Sequence, residues 1–145
     1  MNRTAKLLAI AAALASFGAA AQAAPAVSLD SAVFERAAPA GRMLQPANDL
    51  SRGDRVVYVV NWYKLGGDGG FVVTNPLPRT VYYQGSANGD EEVSIDGGRT
   101  WGKLGAMRVG GRLATPEDIT HVRWRVDPRT ASRGQGRIAY SAIVR

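Results

Sequence analysis

Apolar and polar residues alternate along most of this chain from Asp54 onward, with the period of a β-strand. In "DRVVYVVNWYKL", Val56, Tyr58, Val60 and Trp62 fall on one side, and Val57, Val59, Asn61 and Tyr63 on the other. Apolar residues on both sides predict a central strand covered, at least in part, on both faces. "ITHVRWRVD" alternates strictly, with Val122, Trp124 and Val126 inward and His121, Arg123 and Arg125 outward. "GRIAYSAIVR" repeats the pattern with Ile138, Tyr140, Ala142 and Val144. Shorter strands are expected at "FVVT", within "RTVYYQGSANGD" and at "EEVSI". A further one is expected at "AVSLDSAVFER", where Val27, Leu29 and Val33 point to one face.

The connections between these runs are turn chemistry. "GGDGG" is a loop, Pro76 and Pro78 cannot donate to a ladder, and Asn88-Gly89 suits a turn that needs positive φ. "AAPAGRMLQPANDLSRG" has no periodicity and reads as a loop, and nothing after residue 54 has sustained helical spacing. About seven or eight strands joined by short turns define an all-β chain, either an antiparallel β-sandwich or a barrel. Uneven strand lengths and a long N-terminal connection favour the sandwich. The sequence has no internal repeat, which argues against a propeller.

The N-terminal segment follows a different rule. Arg3 and Lys6 precede the apolar run Leu7 to Phe17, and small residues then lead to Ala21-Gln22-Ala23. This is the layout of a secretory signal peptide, and the run is too short for a bilayer-spanning helix. The expected organisation is a signal peptide at 1–23, an N-terminal strand and loop at 24–51, and a β-sandwich domain at 52–145. The expected destination is the periplasm or the cell exterior, without a transmembrane anchor.

Composition then narrows the chemistry. Eighteen Lys and Arg stand against twelve Asp and Glu, and removing Arg3 and Lys6 leaves sixteen against twelve. The basic residues are dispersed, whereas a nucleic-acid partner calls for a clustered basic face, so none is expected. With no cysteine the fold must rest on its apolar core, and thiolate catalysis and cysteine-ligated zinc are excluded. His121 is the one histidine, and no G-x-S-x-G motif accompanies it. Asp90, Glu91, Glu92 and Asp96 concentrate acid in "GDEEVSID", but without calcium-loop spacing, and Glu91 and Glu92 must face opposite ways in a strand. No catalytic, cofactor-binding or metal-ligating residue is therefore assigned, and the chain is not expected to be an enzyme. Arg123 and Arg125, with Arg137 on another strand, form a stripe able to receive a carboxylate or phosphate, or simply a wet strand face.

One short motif stands out. "SIDGGRTW" fits Ser-x-Asp-x-Gly-x-Thr-Trp, the Asp-box best known from sialidases and other sugar-processing propellers. Physically it describes a hairpin turn that starts at Ser94: the Asp96 side chain accepts from the turn amides, Gly98 permits positive φ, and Thr100 and Trp101 begin the return strand with Trp101 packed inward. Nothing in that arrangement performs chemistry, so the five residues are expected to be structural.

A wider resemblance spans about residues 52 to 145. "RGDRVVYVVNWYKLGG", "VVTNPLPRTVYYQGSANGD", "SIDGGRTW", "DITHVRWRVD" and "GQGRIAYSAIVR" follow one another in an order that resembles the bacterial conserved-repeat domain of unknown function numbered eleven. Arg52-Gly53-Asp54 stands where that family usually has Pro-Gly-Asp. The resemblance implies an immunoglobulin-like antiparallel β-sandwich in an exported or cell-surface protein, and no catalytic residues. The expected function is a non-catalytic structural or interaction domain of the cell envelope, its partner an envelope protein. Carbohydrate or cell-wall binding is the alternative, suggested by Trp62, Tyr63, Tyr82, Tyr83 and Trp101.

Overall fold

The computed structural model describes residues 26–36, 44–46 and 49–145. The signal peptide expected at 1–23 and much of the loop before residue 49 lie outside the described residues. The strands, in chain order, are β1 (Ala26–Arg36), β2 (Leu44–Pro46), β3 (Arg55–Gly66), β4 (Phe71–Pro76), β5 (Val81–Ser86), β6 (Glu92–Ser94), β7 (Arg108–Val109), β8 (Arg112–Leu113), β9 (His121–Val126) and β10 (Gln135–Val144). All pairings are antiparallel. The larger sheet runs β2-β1-β3-β10-β5, the smaller β4-β9-β6, and β7-β8 is a separate hairpin.

The two main sheets share one core. Val56, Val60 and Trp62 of β3 and Ile138, Tyr140 and Ala142 of β10 meet Val73 of β4, Val93 of β6 and Val122, Trp124 and Val126 of β9. The sets read from β9 and β10 are buried, Val144 only in part. On β3 the side of Val56 and Trp62 meets the core while Val59 on the other side is also buried, as expected of a strand partly covered on both faces. Tyr140 is the aromatic centre: it stacks on Tyr58 at 4.9 Å between centroids and lies 5.4 Å from Trp124 and 6.0 Å from Tyr83. Its hydroxyl accepts a hydrogen bond from Asn75 Nδ2. Burial holds the Tyr140 and Tyr83 hydroxyls neutral, with their pKa values raised.

Several expectations need correction. Ten strands are described instead of seven or eight, because β2, β7 and β8, only two or three residues long, were not expected. β2 falls inside the stretch expected to be loop and pairs with Phe34–Arg36 of β1. A one-turn helix, α1 (Pro128–Ala131), also forms, with the Asp127 carboxylate accepting from the Arg129 and Thr130 amides. β1 itself forms as expected, but its apolar face is only partly covered: Val27 packs against the core, and the other two residues do not. Leu29 sits opposite Trp62 and Val33 opposite Tyr58, so both belong to the core-facing side, yet they are 48% and 37% exposed. The three-stranded sheet is too narrow to cover them.

Candidate functional site

The Asp-box turn is built on the end of β6 and closes through hydrogen bonds to two side chains. Ser94 is fully buried; its hydroxyl donates to Asp96 Oδ1 at 2.8 Å and accepts the Gly98 amide at 2.8 Å. Asp96 Oδ1 also accepts the Arg99 and Thr100 amides at 3.0 and 2.9 Å, and Oδ2 accepts the Thr100 hydroxyl at 2.7 Å. The Thr100 amide, then the Thr100 and Ser94 hydroxyls, hold the Asp96 carboxyl well below the usual carboxylate range. Gly97 and Gly98 both adopt positive φ, at 80° and 88°, so the backbone can curl around the carboxylate. Thr120 ties the turn to β9: its amide donates to the Ser94 carbonyl and its hydroxyl accepts from the Gly97 amide.

Trp101 departs from its expected place. The return from the turn makes a single bridge, Gly102 with Val93, and a short 3-10 turn at Leu104–Ala106 follows in place of a return strand. Trp101 is half-buried on the outer side of the smaller sheet, against the edge of His121, with the Arg123 guanidinium 4.4 Å above its ring. Its indole Nε1 donates to the Gly98 carbonyl, so it latches the turn from outside. The Asp96 and Gly98 roles are as expected, whereas Thr100 begins no strand and instead gives its amide and hydroxyl to Asp96.

The acidic run is dispersed by the fold. Glu92 accepts Arg123 Nε at 2.8 Å and Arg125 Nε at 3.2 Å, and the Arg123 hydrogen bond lowers its pKa. Glu91 turns the other way and accepts the Tyr83 and Ser86 hydroxyls. Partial burial opposes its charge, but those two hydrogen bonds win and lower its pKa. His121 Nδ1 lies 3.1 Å from Thr120 Oγ1, a structural contact. No group of three or more His, Cys, Asp or Glu able to hold a metal ion occurs among the described residues.

The five aromatics considered for sugar stacking do not share a face. Trp62 and Tyr83 are core residues, 2% and 4% exposed, and Trp101 lies on the smaller sheet. Tyr63 and Tyr82 face the same way on the larger sheet, but pair with Gln135 and Ile143 at opposite ends of β10. Eight residues of strand separate those rungs by about 26 Å.

Two features were not read from the sequence. One is the outward edge of β1: over Ala26–Val33 it pairs with β3 alone, because β2 reaches only Phe34–Arg36. Among the described residues no strand occupies that edge. The other is a cavity of about 280 Å³ at one end of the sandwich, bordered by Trp62, Trp124, Arg125, Arg133, Gln135 and Arg137 among others. Neither has a signal in one-dimensional pattern, since each depends on which strands end where. No family model, curated protein or solved structure matches the chain.

Proposed function

We propose that the chain is an exported, immunoglobulin-like, non-catalytic domain of the cell envelope that engages a protein partner by strand addition. The observation that carries this reading is the edge of β1 at Ala26–Val33, which pairs with no strand among the described residues and has Leu29 and Val33 exposed beside it. An open edge presents a row of backbone donors and acceptors, and natural sheets usually blunt such edges with charge, proline or a cover. This one carries a single charge, Asp30, and on its core-facing side two exposed apolar side chains four residues apart, Leu29 and Val33, which suit the side chains of an incoming strand. The two-sheet arrangement and the motif order that resembles the conserved-repeat domains support the immunoglobulin-like assignment. The N-terminal charged, apolar and small-residue segments support export.

The test is capture from an envelope fraction of the host by the tagged domain, set against Leu29→Lys and Val33→Lys variants. Both sites are exposed, so the fold should survive while the edge becomes repulsive to pairing. One protein retained by the parent and lost by both variants is the expected result. Equal retention by all three, or binding to glycan alone, would sink the proposal.

A further inference from the structure

The stretch of β1 that carries the interaction reading is chemically able to pair with itself. Over Ala26–Val33 it pairs with β3 on one side and, among the described residues, with no strand on the other, since β2 takes the edge only from Phe34 onward. Asp30 is the single charge along that stretch, exposed and in no ion pair among the described residues. Sheet edges are ordinarily kept from one another by several charges, a proline or a bulge. A bulge does interrupt the pairing of β1 with β3, but only between Ala26 and Val27, at the end of the stretch.

Symmetry limits how two copies join there. Antiparallel edge strands of identical chains meet across a two-fold axis perpendicular to the sheet, which keeps the core-facing sides of both copies on one side of the joint sheet. Residues directly opposite one another share a face, so each must pair with a residue an even number of places from its own. Two registers fill the stretch under that rule. Centred on Asp30, the pairing sets two carboxylates face to face at the axis, which is repulsive. Centred on Leu29, it runs from Ala26 to Ala32: Leu29 meets Leu29, Val27 meets Ser31, and Ser28 meets Asp30. The Ser28 hydroxyl can then donate to a carboxylate that has no ion-pair partner. A pairing centred on Ser31 is obstructed, because it would carry the incoming Ser28 to Phe34, where β2 is already paired.

The Leu29 register also deals with the apolar overhang. Leu29 is 48% exposed, and the axis sets it beside its own counterpart, on the side where the three-stranded sheets leave β1 uncovered. Val33, just past the paired run, lies diagonally across from Val27 of the second copy. We infer that the strand received by the β1 edge is β1 of a second copy of this chain, in a two-fold dimer centred on Leu29 that joins the two larger sheets. This inference rests on the strand-addition reading and names its partner.

The chain purified from its host is tested by sedimentation, from micromolar concentration to about 1 mM. A monomer–dimer equilibrium is expected. Ser28→Asp sets a like charge opposite Asp30 on both sides of the axis and should weaken the dimer about tenfold, whereas Ser28→Arg should tighten it by a similar factor. Ser28 is exposed, so both variants should fold, which circular dichroism checks. Because the chain has no cysteine, a single introduced one reports the register. With diamide as the oxidant, Leu29→Cys should close a disulfide across the axis. Ser31→Cys, exposed on the same face but opposite Val27, should cross-link about tenfold more slowly. A chain that stays monomeric throughout, an unchanged dimer in folded Ser28→Asp, or equal cross-linking at the two positions would overturn the assignment. A monomer that still captures an envelope protein refutes the second copy and spares the strand-addition reading; a monomer that captures nothing refutes both.

Discussion

Replacing Ser94 with alanine removes one oxygen from a fully buried position and disconnects the Asp-box turn at two short hydrogen bonds and a longer one from the Asp96 amide at 3.4 Å. The Gly98 amide loses its acceptor at 2.8 Å, and Asp96 Oδ1 loses one of three donors. The second loss is mild, because the Arg99 and Thr100 amides still reach the carboxylate. The first decides the magnitude, since a half-buried backbone N–H without a partner costs about 1–3 kcal/mol. For a domain of roughly 100 ordered residues that is a fall in Tm of about 4–12 °C. Thermal unfolding by circular dichroism measures it, and hydrogen exchange localises it: the Gly98 amide should lose protection while Val93 and Gly102 keep theirs. The Ser94 and Asp96 side chains share a bond, so the double alanine variant should be less destabilised than the sum of the single ones. A Ser94→Ala protein within about 0.5 kcal/mol of the parent, with Gly98 still protected, would refute the view that this motif acts by holding its turn amides.

Three further outcomes follow from the same structure. Gly136→Ala should be destabilising by about 1–3 kcal/mol or more, because the new methyl meets the buried Trp62 ring at 2.3 Å; denaturant melts check it, and a neutral result would mean that Trp62 can swing aside. Stability should be flat with pH above the ordinary carboxylate range and should fall as pH drops below about 4. The sign follows from Asp96, Asp118, Asp127 and Glu92, whose folded pKa values lie below their unfolded ones, so the unfolded chain takes up protons first; urea melts at stepped pH test this. At the alkaline end, burial raises Tyr83 and Tyr140, so stability should decline once pH passes about 10, where the unfolded chain ionises more readily. Tyr140→Phe should reduce that decline.

The central strands were legible because both sheets bury one face, and burial on one face writes period two into the sequence. β3, β9 and β10 carry that imprint in Val56, Trp62, Val122, Trp124, Ile138 and Tyr140. β2, β7 and β8 left no imprint, since two or three residues cannot show a period. α1 had a local signal in Asp127-Pro128, a cap followed by proline at the first helical position, but a single turn has no periodicity to accompany it. Trp101 misled for a different reason. An aromatic after a turn usually packs inward, but here the return strand stops at one bridge, and Arg123 and His121 offer the ring a place outside. The Asp96 contacts to the turn amides were legible because they are local in sequence; the cavity was not, since its arginines come from β9, β10 and the segment between them.

Leu29 and Val33 show that the face a strand presents and the burial it receives are separate matters. Their pattern placed them on the core side of β1, and the register with Trp62 and Tyr58 agrees. What leaves them exposed is the unequal width of the sheets, five strands against three. The core is centred beneath β3 and β10, whose inner faces meet β9, β4 and β6, so β1 projects past the cover. Filling that overhang with a fourth strand on the smaller sheet would bury Leu29 and Val33 but leave the β1 edge open. Pairing along Ala26–Val33 satisfies the edge and sets new side chains beside the same two residues. One incoming strand therefore satisfies the backbone and flanks both side chains, which is why the β1 edge, and not the sheet face alone, is the surface on which the interaction reading rests.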